Sequence, residues 1–201
     1  HHLSALLLRH GSSGTLNGIV FNALIAKIRG RGKLPGNKRV IVFSPHPDDD
    51  VISAGGILRK LQQNENDVLV AYQTSGNIAV FDHEVRRYLD FLRRTAGDFG
   101  YGNERLAPLM GDIDGFLARK APGQVDSDAV LMVKRRIREV EAISAIETLQ
   151  LRSEQARFLN MPFYQTGKVR KDPIGPRDIE VILELLEEKR PEIILVAGDL
   201  S

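Results

Sequence analysis

A short apolar run that passes directly into one histidine and three aspartates limits the fold of this chain more than any other feature. Residues 40–43 are VIVF, a run that is typical of a strand covered on both faces. Residues 44–50 are SPHPDDD, and apolar side chains then recur at helical spacing from 51 to 63. Adjacent carboxylates repel one another, so packing three of them at a strand end contributes little stability. We therefore predict a strand–loop–helix unit whose loop holds a positively charged group.

The alternation of apolar runs and helical periodicity continues along the chain. Further strands are predicted at 68–72, 156–161 and 192–198, and further helices at 15–29, 81–92, 126–150 and 179–186. Residues 98–124 scatter Gly, Pro and Asp, which predicts a loop-rich insertion. In the helix of 126–150 we expect the inward side chains to be Val133, Ile137, Val140 and Ile143. Strands that alternate with helices predict an α/β fold, a Rossmann-like parallel sheet with helices on both faces.

The sequence divides near residue 37. Residues 1–37 predict an N-terminal helical segment and a linker, because residues 29–38 (RGRGKLPGNK) are rich in Gly, Pro and cations. Residues 38–201 hold the alternating pattern and predict one α/β domain. The start inside a helical pattern and the stop just after a strand pattern predict that both ends are cut.

Composition narrows the classes of function. The net charge is only +2, and no stretch combines basic with regularly spaced aromatic residues, so no nucleic-acid partner is expected. No apolar run reaches the length of a membrane span and the N-terminus lacks the layout of a signal peptide, so no membrane partner is expected. The absence of cysteine excludes disulfides and cysteine-ligated zinc, and it is compatible with the cytoplasmic location that we predict.

The candidate functional residues are those of the loop after the first strand, because parallel α/β sheets bind ligands at the carboxyl ends of their strands. His46 and Asp49 can turn toward one metal ion as imidazole and carboxylate ligands. Asp48 can face a water on that ion, whose pKa zinc lowers to about 7, and accept its proton as general base. Asp50 precedes the predicted helix and can cap it. The alternative is that the aspartates form only a turn and a helix cap, and that His46 is an ordinary strand-end residue.

Four segments in order resemble the PIG-L/LmbE-like family of zinc-dependent deacetylases. SPHPDDDVISAGGIL resembles the family's signature, and VLVAYQTSGN, RRIREVEAISAIETL and EIILVAGDLS resemble a Thr-x-Gly turn, an Arg- and Glu-containing helix and a late strand. The resemblance implies that His46 and Asp49 bind zinc, that Asp48 is the general base and that Arg138 contacts the substrate. Family members remove the acetyl group from N-acetylglucosamine-type sugars, so an amino-sugar substrate is implied.

Two departures from the family pattern bear on the site. The last acidic residue of the signature is usually Glu and here is Asp50, which implies altered support behind the metal ligands rather than a lost ligand. The family's third zinc ligand is a histidine after the late strand, and the chain has none there. The remaining histidines are His1, His2, His10 and His83, and we predict that His83 lies at the surface. We therefore expect the third ligand beyond Ser201.

A further resemblance is to the C-terminal part of long bacterial glucosamine-6-phosphate deaminase-like proteins, and it rests on residues 16–50 (LNGIVFNALIAKIRGRGKLPGNKRVIVFSPHPDDD) and 71–85 (AYQTSGNIAVFDHEV). This implies a covalently linked deaminase domain as partner, with a homo-oligomer left open. Two hypotheses follow: a metal-dependent amide hydrolase of amino-sugar metabolism, or a catalytically silent sugar-binding or assembly domain beside a deaminase. The intact Asp48 favours the hydrolase, and a histidine within a dozen residues after Ser201 would discriminate the two.

Overall fold

Four parallel strands form the sheet of this protein in a computed structural model that describes residues 3–28, 34–100, 106–165 and 170–197. The strands are β1 (Arg39–Ser44), β2 (Asp67–Tyr72), β3 (Ala156–Phe158) and β4 (Ile193–Val196). Their order in the sheet is β3-β2-β1-β4, with Val40 in register with Val68 on one side and with Ile193 on the other. The chain therefore turns in opposite directions on the two sides of β1, which makes the carboxyl end of β1 the switch point where such sheets bind ligands.

Seven α-helices accompany the strands in the described ranges. They are α1 (Leu3–His10), α2 (Ser13–Ile28), α3 (Asp49–Gln63), α4 (Asp82–Asp98), α5 (Ala107–Arg119), α6 (Asp128–Thr148) and α7 (Pro176–Lys189). Short 3₁₀ turns lie at Asn77–Ala79, Ser153–Gln155 and Pro162–Tyr164. None of the helices that the structure describes is both long enough and apolar enough to span a membrane.

The two faces of the sheet are covered by different helices. Val40 and Val42 of β1 point to one face, where they pack in a cluster with Leu58 of α3 and Ile146 of α6. Alternate side chains of the same strand, Ile41 and Phe43, point to the other face and pack with Leu185 of α7. Since β1 is buried on both faces, its unbroken apolar sequence is what such a strand requires. The predicted α/β class and the parallel sheet with helices on both faces are confirmed.

A second apolar cluster lies among α4, α5 and α6. Its buried members are Val80, Val85, Leu89, Met110, Ile113, Leu117, Val130 and Ile137. The loop-rich insertion predicted at 98–124 is wrong in this region, because α5 occupies most of it (residues 101–105 lie outside the described ranges). Met110, Ile113 and Leu117 have helical spacing and are buried, and Pro108 sits in the first turn of α5, where its missing amide proton costs nothing.

The inward face of α6 differs in part from the prediction. Ile137 is buried as expected, but Val140 is 58% exposed. Further along the helix the buried side chains are Ala142 and Ile146. The reason is that α6 serves two clusters: its first half packs against α4 and α5, and its second half packs on the sheet. A buried face predicted at constant spacing along all 21 residues of α6 cannot match both the contact with α4 and α5 and the contact with the sheet.

The chain forms two compact units, His1–Gly36 and Asn37–Ser201. The first contains α1 and α2, and the helix predicted at 15–29 is α2, except for Arg29, which lies outside the described residues. The second contains the sheet and the other helices.

Candidate active site

The loop that follows β1 is held in place by the ends of two strands. Ser44 donates a hydrogen bond from Oγ to the carbonyl of His46 at 2.7 Å. Thr74, which follows β2, donates from both its amide and its hydroxyl to the carbonyl of Pro45, at 3.1 and 2.8 Å. The amide of Asp48 closes a tight turn onto the carbonyl of His46 at 2.8 Å. The side chains of the loop therefore project from a fixed backbone at the carboxyl edge of the sheet.

His46 and Asp49 are brought together by this turn. Nδ1 of His46 lies 3.1 Å from Oδ2 of Asp49, and the backbone amide of His46 donates to the same oxygen at 3.0 Å. The side chains are 48% and 37% exposed, so a ligand can reach them. Two ligands of one tetrahedral zinc ion, each about 2.0–2.2 Å from the metal, lie roughly 3.3 Å apart. The spacing and the donor types of this pair fit two positions of a zinc site.

No further ligand joins this pair within the ranges 3–28, 34–100, 106–165 and 170–197, where no group of three His, Cys, Asp or Glu side chains could hold a metal. His83 is exposed on α4 and stacks on Phe81 with ring centroids 5.7 Å apart, in agreement with its expected surface position. His1 and His2 lie outside the described residues, as does the side chain of His10. The third zinc ligand beyond Ser201 stays a prediction.

Asp48 has a different environment from its neighbour Asp49. It occupies the N-cap position of α3, yet its carboxylate accepts no capping hydrogen bond. Instead, Oδ2 of Asp48 lies 3.0 Å from Nη2 of Arg138, and the side chain is 45% exposed. Two consecutive carboxylates therefore face separate partners, one an imidazole and the other a guanidinium, which permits separate chemical roles.

Asp50 does not cap α3, and this prediction is wrong. The helix begins at Asp49, so Asp50 falls in the first turn and faces inward, where only 3% of its surface is exposed. Tyr72 donates from its hydroxyl to Oδ2 of Asp50 at 2.9 Å, and the amide of Asp50 donates to Oγ of Ser44 at 3.0 Å. Burial raises the pKa of Asp50 although the hydrogen bond from Tyr72 opposes the rise. Asp50 thus ties the start of α3 to β1 and β2, directly behind the loop.

The raised pKa of Asp50 predicts a pH-dependent loss of stability. The folded protein holds the Asp50 proton more tightly than the unfolded chain does, so the stabilisation from the protonated form is complete below the ordinary pKa of 3.8 and is lost as pH rises through the folded value. Asp50→Asn cannot ionise. We expect the free energy of unfolding of this variant, relative to that of the wild type, to increase as the pH rises above about 4. Urea unfolding of both proteins at several pH values measures this difference. A difference that stays constant with pH would show that Asp50 does not titrate abnormally.

Arg138 reaches the loop from α6. Its Nη2 donates to the carbonyl of Pro47 at 2.9 Å as well as pairing with Asp48, and its Nη1 donates to Oε2 of Glu141 at 3.0 Å. The side chain is only 16% exposed. Of the residues that sequence analysis selected, the structure therefore brings His46, Asp48, Asp49 and Arg138 to one edge of the sheet, with Asp50 behind them.

Sequence analysis missed Tyr164, which forms part of the surroundings of the loop. It lies in the 3₁₀ turn after β3, is 7% exposed and meets the His46 ring edge-on at 5.9 Å between centroids. Nζ of Lys171 lies 3.6 Å from the centroid of the Tyr164 ring. Pro162 was a usable signal, because it ends the strand pattern and so places the next residues at the same carboxyl edge.

Comparisons with known proteins show which family and which relatives the chain is similar to. The sequence model of the PIG-L family, described as GlcNAc-PI de-N-acetylase, matches residues 41–201. A glucosamine-6-phosphate deaminase-like protein of Bacteroides thetaiotaomicron is 41% identical over 99% of this chain. A diacetylchitobiose deacetylase of Thermococcus kodakarensis is 37% identical over 37% of this chain. The chain covers 32% and 28% of the length of these two relatives. No solved structure matches the chain at a significant level.

Proposed function

The chain belongs to the PIG-L family, and on that premise we propose that it is a zinc-dependent hydrolase that removes the acetyl group from an N-acetylglucosamine-type sugar. The similarity of the chain to a diacetylchitobiose deacetylase supports a deacetylase function. The observation that carries the proposal is that two neighbouring carboxylates of the loop face different partners. Asp48 pairs with Arg138, whereas Asp49 pairs with His46. A metal-assisted hydrolase needs one carboxylate on the metal and another free to move a proton.

His46 and Asp49 would hold the zinc ion, together with a histidine from beyond Ser201. When bound there, zinc would act as the Lewis acid that polarises the amide carbonyl, and it would lower the pKa of a water molecule to about 7. The half-exposed position of both side chains gives a sugar access to them. Asp50 supports this arrangement by anchoring the first turn of α3 through Tyr72 and Ser44.

Asp48 performs the proton transfers. Its carboxylate is 45% exposed and therefore open to a water molecule at the substrate amide. One carboxylate oxygen of Asp48 accepts a proton from the water that attacks the amide carbonyl. Asp48 then gives this proton to the nitrogen of the departing amine, so the amide is cleaved to acetate and a free amino sugar. Arg138, a substrate contact on the family resemblance, lies beside it at 3.0 Å.

The relatives support a proposal for the substrate class and for the setting in which the domain acts. One relative is a diacetylchitobiose deacetylase and the family is described as a GlcNAc-PI de-N-acetylase, so we propose an N-acetylglucosamine-type sugar here. The B. thetaiotaomicron relative suggests that the domain works beside a covalently linked deaminase domain in amino-sugar metabolism. Deacetylation would then yield the free amine that a deaminase consumes. A cytoplasmic location and a homo-oligomer stay predictions.

A catalytically silent sugar-binding or assembly domain is the second candidate. His46 and Asp49 have no third metal-ligating side chain beside them within the described ranges, and this favours the silent domain only if the protein at its natural length also lacks one. The two candidates differ in one sequence feature, the presence or absence of a histidine within about a dozen residues after Ser201.

Release of a primary amine from N-acetylglucosamine derivatives tests the proposal. The protein at its natural length should deacetylate at least one sugar of this class, lose the activity on treatment with a chelator and recover it with zinc. The metal would supply the Lewis acid that polarises the amide carbonyl. Activity that survives complete removal of the metal would contradict the zinc mechanism. Sugar binding without any amine release would support the silent domain.

A further inference from the structure

The 3₁₀ turn after β3, Pro162–Tyr164, is fixed beside the candidate active site. The amide of Phe163 donates to Oδ1 of Asp178 at 3.0 Å, and Asp178 is a buried residue of α7. Tyr164 is itself buried, and its ring meets the imidazole of His46 edge-on with centroids 5.9 Å apart. The turn therefore holds an aromatic ring in one position against a residue that we assign to the metal.

Lys171 lies over the face of the Tyr164 ring. Its Nζ is 3.6 Å from the ring centroid and 3.4 Å from the carbonyl oxygen of Tyr164. The amide of the next residue, Asp172, donates to the carbonyl of Phe163 at 3.2 Å, which holds the backbone of this segment against the turn. A cation over an aromatic face is attracted by the quadrupole of the ring. The ammonium group is therefore placed one aromatic ring away from His46.

The charges around Tyr164 favour an anion. Lys171 is half-buried, and burial lowers its pKa because it disfavours the charged form. An anion that pairs with this ammonium offsets that cost, and the attraction is stronger where water is partly excluded. Burial also raises the pKa of the Tyr164 hydroxyl, and the positive charge of Arg138 opposes the rise. The same ring thus lies within the electrostatic reach of two cations.

We propose that Lys171 binds an anionic substituent of the substrate, and that the substrate is an N-acetylglucosamine-type sugar that carries a phosphate group. This inference rests on the proposed function, because His46 marks the position at which the acetyl group is cleaved. Tyr164 touches both His46 and Lys171, so one sugar can reach both residues. A lysine ammonium is a compact charge that suits phosphate oxygens. A phosphate also carries a charge of about −1.5 to −2 at pH 7, more than a carboxylate does.

Kinetics of the natural-length protein and of Lys171→Met test the inference, with N-acetylglucosamine and its 1-phosphate and 6-phosphate as substrates. We expect kcat/KM of the wild type for one of the two phosphates to exceed that for the neutral sugar roughly 10- to 100-fold, as a charge-assisted hydrogen bond allows. Lys171→Met should lose most of this preference and keep kcat/KM for the neutral sugar, because methionine retains the apolar stem over Tyr164. Equal kcat/KM for all three sugars, or a preference that survives in Lys171→Met, would overturn the inference.

Lys171→Arg and Lys60→Met are the matched variants. Lys171→Arg keeps the positive charge and should retain part of the preference for phosphate. Lys60→Met makes the same change at an exposed position of α3 and should leave the preference as in the wild type. N-acetylmuramic acid, which carries a carboxylate in place of a phosphate, separates the two kinds of anion. A higher kcat/KM for this sugar than for both phosphates would contradict the assignment of a phosphate.

Tyr164→Leu and Tyr164→Phe test whether the ring places the ammonium. Tyr164→Leu removes the aromatic face beneath Nζ of Lys171, so the ratio of kcat/KM between phosphorylated and neutral sugar should fall. Tyr164→Phe keeps the face and should keep the ratio. Because the comparison is a ratio of two substrates in one protein, a general loss of turnover from the contact with His46 cancels. A ratio that is the same in both variants would count against the role of the ring.

Calorimetric binding of the two sugar phosphates gives a readout that does not depend on activity. In an Asp48→Asn background, adding Lys171→Met should weaken binding of one sugar phosphate roughly 10- to 100-fold and leave binding of N-acetylglucosamine unchanged. A phosphate that binds only to the metal would bind both proteins equally, which would contradict the inference. Binding that depends on Lys171 in a protein that releases no amine would contradict the proposed function and leave the phosphate site supported. Amine release from the neutral sugar without any effect of Lys171→Met would do the reverse.

Discussion

Asp48→Asn is expected to lower turnover of an N-acetylglucosamine-type substrate by about a hundred- to ten-thousandfold, the usual contribution of general base catalysis. Asparagine keeps the size of the side chain and can still accept a hydrogen bond from Arg138, but it cannot take a proton from water. Zinc content should stay at the wild-type level, because the carboxylate of Asp48 faces Arg138 and not the His46–Asp49 pair. Steady-state kinetics and elemental analysis of the natural-length protein provide the two measurements.

Asp49→Asn and His46→Ala are the matched comparisons for Asp48→Asn. Each removes one member of the pair that lies 3.1 Å apart, so zinc content and turnover should fall together. Loss of the metal from Asp48→Asn and its retention in Asp49→Asn would show that the two roles are exchanged. If none of the three changes alters a measurable deacetylase rate, the active site lies elsewhere.

Lys134→Met is expected to destabilise the protein by about 3–5 kcal/mol, as removal of one partner of a buried ion pair does. Lys134 is buried in α6, and its Nζ donates to Oδ1 of Asp82 at 2.7 Å and to Oδ2 of Asp126 at 2.8 Å. Lys120, after α5, also pairs with Asp82 at 2.8 Å. Methionine matches the length of the lysine stem but leaves two carboxylates to share one ammonium group. The midpoint of urea unfolding measures the loss.

Lys60→Met on the exposed surface of α3 is the control and should change the free energy of unfolding by no more than about 0.5 kcal/mol. The destabilisation in Lys134→Met should also shrink in acid. Burial acts to raise the pKa of Asp82, but the hydrogen bonds from Lys120 and Lys134 outweigh it and hold the pKa below the ordinary value of 3.8. That stabilisation is present above pH 3.8 and is lost as the pH falls further. A loss in Lys134→Met similar to that in Lys60→Met would show that the ion cluster adds nothing.

Local sequence patterns predicted the secondary structure well where an element has the same surroundings along its whole length. The strand at β1 was expected at 40–43 and spans Arg39–Ser44, because its unbroken apolar run fits a strand buried on both faces. The pattern failed at α5, where Gly111 and Asp112 suggested a loop. Both are exposed, and the buried Met110 and Ile113 beneath them already had helical spacing. Polar and small residues on a solvent-facing side say little about whether a helix is present.

The sequence by itself determined the fold class and the loop that carries His46, Asp48 and Asp49. These residues lie within four positions of one another, and the backbone turn that groups them involves only near neighbours. Only the tertiary structure decided what each carboxylate faces. Arg138 is 91 positions from Pro47, and Tyr72 is 22 positions from Asp50. Periodicity indicates which side of a helix is buried, but the side chain opposite it depends on how distant elements pack and in which register. For this reason the sequence predicted the position of the candidate site, whereas the packing of α6 and β2 against the loop placed Arg138 beside Asp48 and buried Asp50, which had been expected to cap α3.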